Sequence, residues 1–348
     1  MILVDLKSIF FHPGKNMQAG KSLEKTVMKM PCSRQVLLLF LGAVLLLSVG
    51  CRRQPQKEAV PALPEALKEY QGREPQLKVY QHETGDITVM SFEDYIAGVV
   101  AAEMDPEWPE NALAAQAIVA RSFTLQKIKE NGGLPERNAH ASTDFKEFQA
   151  YNAGRINERV RKAVEKTRGK IAVYQGDYIK AWFHAYAGPR TALPDEGLEY
   201  KDGNPPYIQI VTSPAEKIIP EEEKNWSASF PLGQVQVAVQ EAGCGDPGPV
   251  ESAEISAKGP SGRATLIRIN EVEVPAPSLR LALGSTEMRS TFIEQIGVGE
   301  GGLYLAGTGY GHGVGMCQWG ARALAEEGRS PEEIVNYFYR DIALVKAW

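Results

Sequence analysis

The chain has 348 residues, 43% of them hydrophobic and 23% charged, which suits one large globular domain or two modest ones. Net charge is −5, and the first 50 residues take six of the 38 Lys/Arg and two of the 43 Asp/Glu, leaving 32 against 41 downstream. An acidic body of this kind argues against nucleic acid as a partner, because nucleic-acid binders present a basic face. No heptads or internal repeats point to a coiled coil or a solenoid.

Val36 to Val49 is continuously apolar, follows Lys29 and Arg34, and precedes Gly50-Cys51-Arg52-Arg53. It falls short of the roughly 20 apolar residues of a spanning helix. A basic start, a short apolar core and a small residue before the cut are the marks of a secretory signal. Cys51 resembles the lipidated first residue of a mature bacterial lipoprotein, although Ser48 stands where Leu is usual. The alternative is an uncleaved anchor. Both readings put the body of the chain outside the cytoplasm, held at the cell membrane by a lipid on Cys51 or by the apolar segment. Residues 1–27 do not look like a signal, and Met28 and Met30 are alternative starts. With Cys32 removed and Cys51 lipidated, Cys244 and Cys317 remain, enough for one disulfide but not for a four-thiolate metal site.

Residues 51–75, with Pro55, Pro61, Pro64 and Pro75 among charged residues, read as a tether. Leu77–Tyr80 and Ile87–Met90 alternate about a turn and predict a β-hairpin. Ser91 then caps a helix, with Asp94 three residues on. That helix is apolar from Tyr95 to Met104 except for Glu103, where it stops. A carboxyl desolvated there has a raised pKa and can donate a proton near neutral pH. The alternative is a carboxylate facing solvent at a helix end, as most do. A second helix starts at Pro109 and runs to about Lys129, before Gly132-Gly133. Its middle is apolar nearly all round, so Gln116 and Arg121 need buried partners or line a groove beside Glu103.

Arg137 to Asn152 is a loop carrying His140, Asp144, Glu147, Gln149 and Tyr151. A short helix follows at Glu158–Arg168, then a hairpin of Lys170–Tyr174 with Tyr178–Phe183, and a loop holding His184 and Arg190. Residues 221–305 read as a looser inserted lobe, with strands expected at Val235–Val239, Val250–Ile255 and Ala264–Ile269. Gly307 to Ala321 has glycine at alternate positions around His312 and Gln318, which lets the backbone approach a ligand closely. A helix at about Gln318–Glu327, a capping box at Ser330–Glu333 opening a last helix, and a strand near Ile342–Val345 complete the chain. The fold class expected is α+β: a two-lobed catalytic unit over 76–348, with a helix bearing Glu103, β-hairpins, a glycine-rich C-terminal loop and a central cleft.

Tyr95 to Met104, Trp108-Pro109, Leu113-Ala-Ala-Gln116-Ala117, Gln149-Ala150-Tyr151 and Gly309 to Ala321 together resemble the stage II sporulation protein D / LytB family, from about Leu77 to the C-terminus. The resemblance implies a peptidoglycan lytic transglycosylase acting on glycan strands stripped of stem peptides, in sporulation or wall remodelling. Its catalytic glutamate falls on Glu103. Substrate contacts would come from Gln116, Arg121, Tyr151, Arg190, His312 and Gln318, with Arg121 and Arg190 suited to hold lactyl carboxylates. A cell-wall amidase is an expected partner and no cofactor is expected. Some family members carry a Cys/His zinc cluster before Gln-Ala-Tyr. Ser142 and Phe148 occupy the cysteine positions here, so no metal is expected. The family's Ser-Gly-Gly-x-Thr segment is here Ala187 to Thr191, which leaves room for a non-catalytic, amidase-enhancing wall binder. A nucleophilic Cys317 near His312 is a weaker catalytic idea.

Overall fold

A computed structural model describes residues 59–348. The apolar segment at 36–49 and Cys51 therefore lie outside the described residues. The last part of the expected tether is folded onto the body. Glu65–Tyr70 is a 3-10 helix whose Leu67 is completely buried, and the Leu63 amide donates to Gln71 Oε1 at 2.8 Å. Leu63 and Leu67 give this proline-rich stretch enough apolar surface to pack.

Strands β1 (Gln76–Tyr80) and β2 (Ile87–Ser91) form the expected antiparallel hairpin, with Leu77 and Val79 buried. Ser91 Oγ accepts the Asp94 amide at 3.1 Å and opens helix α1 (Phe92–Glu103). Met104 turns extended (φ −124°, ψ 161°), so Glu103 is the last helical residue. Helix α2 (Glu110–Asn131) follows with Pro109 at its N-cap and closes on Gly132 at φ 71°. The two-residue β3 (Ala141–Ser142) joins β1 in parallel. Helix α3 (Glu158–Lys166) is capped by Asn157 and buries Val160, Ala163 and Val164.

Strand β4 (Lys170–Tyr174) turns through Gln175 and Gly176 into β5 (Asp177–Tyr178). The expected second strand reaching Phe183 is cut short, because the Lys180 amide donates to Tyr207 Oη instead of to β4. Phe183–His184 form a separate strand, β6. Strand β7 (Asn225–Phe230) was not expected from the sequence. The strand expected at Val235–Val239 is a helix, α4 (Leu232–Glu241). Alternating valines imitate a strand there, but Val235, Ala238 and Val239 are the buried set, at helical spacing, and Val237 is exposed.

Strands β8 (Ala253–Lys258), β9 (Ala264–Ile269) and β10 (Val272–Pro275) form an antiparallel sheet, followed by helix α5 (Ala276–Leu283). Strands β11 (Ile293–Gly299) and β12 (Gly302–Thr308) pair with each other, and β12 with β7. Residues between Trp226 and Leu305 share one apolar cluster, including Val239, Ile267, Leu279 and Leu303. The tail returns to the first elements. Strand β13 (Met316–Cys317) lies parallel to β6, helices α6 (Gln318–Glu326) and α7 (Pro331–Phe338) pack on α2, and β14 (Ala343–Lys346) pairs with β4. The arrangement is α+β, as expected.

Candidate active site

Glu103 ends α1 with 2% of its surface exposed. Its Oε1 accepts the Ala150 amide at 2.8 Å. Burial pushes the carboxyl pKa up to about 8, against the opposing pull of the Ala150 amide and the Gln318 side chain. The carboxyl is therefore protonated at neutral pH. Gln318, the first residue of α6, is also 2% exposed, and its Nε2 has no hydrogen-bond partner among the described residues. The carboxamide thus stands near the carboxyl without a well-formed bond to it.

The Gln149–Asn152 segment is laid across α1. The Asn152 amide donates to Gly98 O at 3.0 Å, and the Tyr151 ring stacks on Tyr95 at 5.8 Å. Gly98 makes that approach possible. A Cβ built there would lie 2.6 Å from Tyr151 Cδ2 and 2.7 Å from Cζ, with Cε2 closer still. A mid-helix glycine costs about 1 kcal/mol in propensity, so a packing reason for it is informative. Helix α2 anchors the same segment. Thr124 Oγ1 accepts Gln149 Nε2 at 2.9 Å, and Lys127 Nζ donates to Glu147 O while lying 4.9 Å from the Phe148 ring centroid. Burial lowers the Lys127 pKa to about 8.

Tyr95 Oη donates to Ser142 O at 3.1 Å, and burial pushes its pKa far up, with Tyr151 and Glu103 adding to the rise. Tyr151 thus lies on Tyr95 next in sequence to the Ala150 amide that bonds Glu103, and Gln318 lies near the Glu103 carboxyl. Gln116 is completely buried, and neither of its carboxamide atoms has a hydrogen-bond partner among the described residues, a costly condition for an amide.

Arg121 departs from the expectation. It is fully buried, and its donors are taken by Glu93 (Nε at 2.9 Å, Nη2 at 2.7 Å), Val164 O and Thr167 Oγ1. Glu93 also accepts the Gly169 amide at 2.9 Å and Trp348 Nε1 at 3.0 Å. A guanidinium committed to a buried carboxylate is not available for a sugar acid, so Arg121 ties α1, α2 and α3 together instead. The sequence carries no signal for Glu93, because nothing in a 28-residue separation marks a pair.

His312, expected as a substrate contact, is buried in the glycine-rich loop at 7% exposure. Its Nδ1 accepts the Val314 amide at 3.1 Å, and burial with Arg280 and Arg263 lowers its pKa to about 3. A neutral imidazole bonded to the Val314 amide orders the loop and does not take up a second proton near pH 7. The glycines likewise serve packing. A Cβ on Gly313 would lie 2.6 Å from Arg263 Cζ, and one on Gly315 would lie 2.8 Å from Tyr339 Oη and 2.9 Å from the Trp182 carbonyl carbon. Arg263, which no sequence signal singled out, is fully buried under this loop. Arg190 is exposed, at a backbone bridge to Thr212.

Cys317 is a buried free thiol whose Sγ accepts the Ala187 and Gly320 amides, and burial raises its pKa. It caps α6, and burial outweighs the amide donors and the Arg263 charge that would favour a thiolate, so the thiol is not an activated nucleophile. Cys244 is free as well, so the two thiols do not pair. At the zinc positions, Ser142 Oγ accepts the Asp144 amide at 3.0 Å and Phe148 is buried. Among the described residues no group of three or more His, Cys, Asp or Glu is arranged to hold a metal ion.

A family model described as stage II sporulation protein matches residues 80–174, which hold α1, α2 and the Gln149–Asn152 segment. Stage II sporulation protein D of Bacillus amyloliquefaciens is 29% identical over 333 residues, covering 90% of this chain and 93% of that protein. An uncharacterised protein of Brachyspira hyodysenteriae is 31% identical over 267 residues, 74% of this chain and 68% of its own length. A Bacillus subtilis protein named amidase enhancer is 28% identical over 287 residues, 70% of this chain and 39% of its length.

Proposed function

The chain belongs to the stage II sporulation protein D family, and on that premise we propose that it is a cell-wall lytic transglycosylase with Glu103 as its acid and base. The observation that carries the proposal is the dry carboxyl at the end of α1, still protonated at neutral pH. Cleavage of a glycosidic bond needs a proton on the leaving oxygen. Oε1 is occupied by the Ala150 amide, so Oε2 is the oxygen that would carry and deliver it. The resulting carboxylate then takes the proton of the muramic acid C6 hydroxyl as that oxygen attacks C1, closing a 1,6-anhydro ring. One carboxyl serves both steps, and a second carboxylate is not required. The Ala150 amide stabilises the ionised form between them.

At 2% exposure Glu103 meets a glycan strand only if a neighbour moves. The Tyr151 ring, half-buried, and the Gln318 side chain are the groups that would shift. In this reading Tyr151, Gln318 and Gln116 remain candidate sugar contacts, Arg190 a peripheral one, and the protein works outside the cytoplasm on peptidoglycan, anchored through Cys51 or the apolar segment before it.

The low exposure of Glu103 and the relative named amidase enhancer favour one second reading, a non-catalytic glycan holder that assists an amidase. Purified protein incubated with peptide-free glycan strands separates the two. Mass analysis is expected to find 1,6-anhydro ends with the wild type and none with Glu103→Gln. Binding without new ends in the wild type would establish the second reading instead.

A further inference from the structure

On α6, the helix that Gln318 opens, the chain carries a guanidinium suited to an anionic ligand. Trp108 follows Glu103 by five residues, and Trp319 follows Gln318. Their rings pack at 4.7 Å, and the Arg322 guanidinium lies over both, 5.2 Å from the Trp108 ring and 5.0 Å from the Trp319 ring. Gln318 and Arg322 are four apart on α6, so they share a helix face about 6 Å apart along the axis. The chain just beyond α1 therefore meets α6 through Trp108, Trp319 and Arg322, while Gln318 lies near Glu103.

The indoles are only 7% and 6% exposed, so they carry the arginine rather than a sugar ring. The Arg322 side chain remains 30% exposed. Glu326 takes its Nε–H at 2.8 Å, and the two Nη groups have no partner among the described residues. A surface ion pair of this kind is worth only about 0–1 kcal/mol, so a second carboxylate can share or displace Glu326 cheaply. A guanidinium held flat on aromatic faces has already lost much of its rotamer freedom, which favours two-pronged recognition of a carboxylate.

We propose that Arg322, seated on Trp108 and Trp319, is the specificity residue of the glycan site and binds the free lactyl carboxylate of a muramic acid residue next to Glu103. The proposal rests on the reading that a glycan strand reaches Glu103. It supplies a physical reason for preferring peptide-free strands. With a stem peptide attached, the lactyl group is an amide and offers no charge to Arg322. It also gives an acidic protein a local means of holding an anionic polymer, a role that Arg121 is too committed to fill.

The test is calorimetric binding to the full Glu103→Gln protein, so that no cleavage intervenes. Two ligands are compared: peptide-free glycan strands, and the same strands with their lactyl carboxylates converted to amides. The free carboxylate form is expected to bind about tenfold tighter. Adding Arg322→Gln is expected to bring that ratio to about one while leaving the affinity for the amidated strand unchanged, and Arg322→Lys to restore part of it. A ratio near one before Arg322 is changed, an unaltered ratio after it, or an equal loss on both ligands would overturn the proposal, the last because it would make Arg322 merely structural. The two readings fail separately. Absence of anhydro ends with the preference intact removes the cleavage and leaves the subsite. Cleavage without the preference does the reverse.

Discussion

Gly98→Ala is the substitution whose outcome the structure specifies most sharply. In an ordinary exposed helix it would stabilise by about 1 kcal/mol. Here the new methyl carbon would sit 2.6–2.7 Å from two carbons of the Tyr151 ring, which is itself stacked on Tyr95. The ring must move, and overpacking of this kind costs about 1–3 kcal/mol. The net expectation is a loss of up to about 2 kcal/mol in urea unfolding. The loss is local, because Tyr151 sits between the Ala150 amide on Glu103 and the Asn152 amide on Gly98 O. Glycan cleavage should therefore fall more than stability does, and Tyr151→Ala in the same background should recover part of the stability. A Gly98→Ala variant about 1 kcal/mol more stable than the wild type, with unchanged cleavage, would refute the idea that this segment positions the acid.

Arg121→Leu leaves Glu93 buried without its counter-ion, a change that costs about 3–5 kcal/mol; chemical denaturation showing a loss under about 1 kcal/mol would mean the pair is not structural. Stability should also depend on pH through Glu103. Its pKa is raised from 4.5 to about 8 in the folded state, so the folded protein holds the proton more tightly. The contribution is fully present below about pH 4.5 and is lost as pH rises through about 8. Glu103→Gln should gain stability relative to the wild type between pH 5 and pH 8, and a constant difference across that range would contradict the raised pKa. Cys317→Ser should keep cleavage, since the serine Oγ can still accept the Gly320 amide as an N-cap, whereas a nucleophilic cysteine would lose all activity.

Short-range chemistry is legible in the sequence. Ser91, Pro109 and the Ser330/Glu333 box mark helix starts, and Gly132 marks a stop, because caps act within one turn. Glu103 is legible because it is an isolated charge in an apolar helix. Partners distant in sequence are not. Arg121 pairs with Glu93 across 28 residues, and the glycine-rich loop closes over Arg263 and Trp182, so the glycines that suggest ligand approach belong to packing. The alternating valines of α4 show the other failure. A short apolar run fits both periods until the buried positions are known. Trp108, Trp319 and Arg322 each look ordinary in sequence, and their stacking exists only once α6 folds back to the end of α1.

The central claim is that a carboxyl at position 103 keeps its proton at neutral pH. The most direct measurement is the carboxyl carbon signal of Glu103 in labelled protein, assigned by its absence in Glu103→Gln and followed from pH 5 to pH 9. A midpoint near 8, with cleavage lost on the alkaline side of it, is the result this account predicts; a midpoint near 4.5 would contradict it.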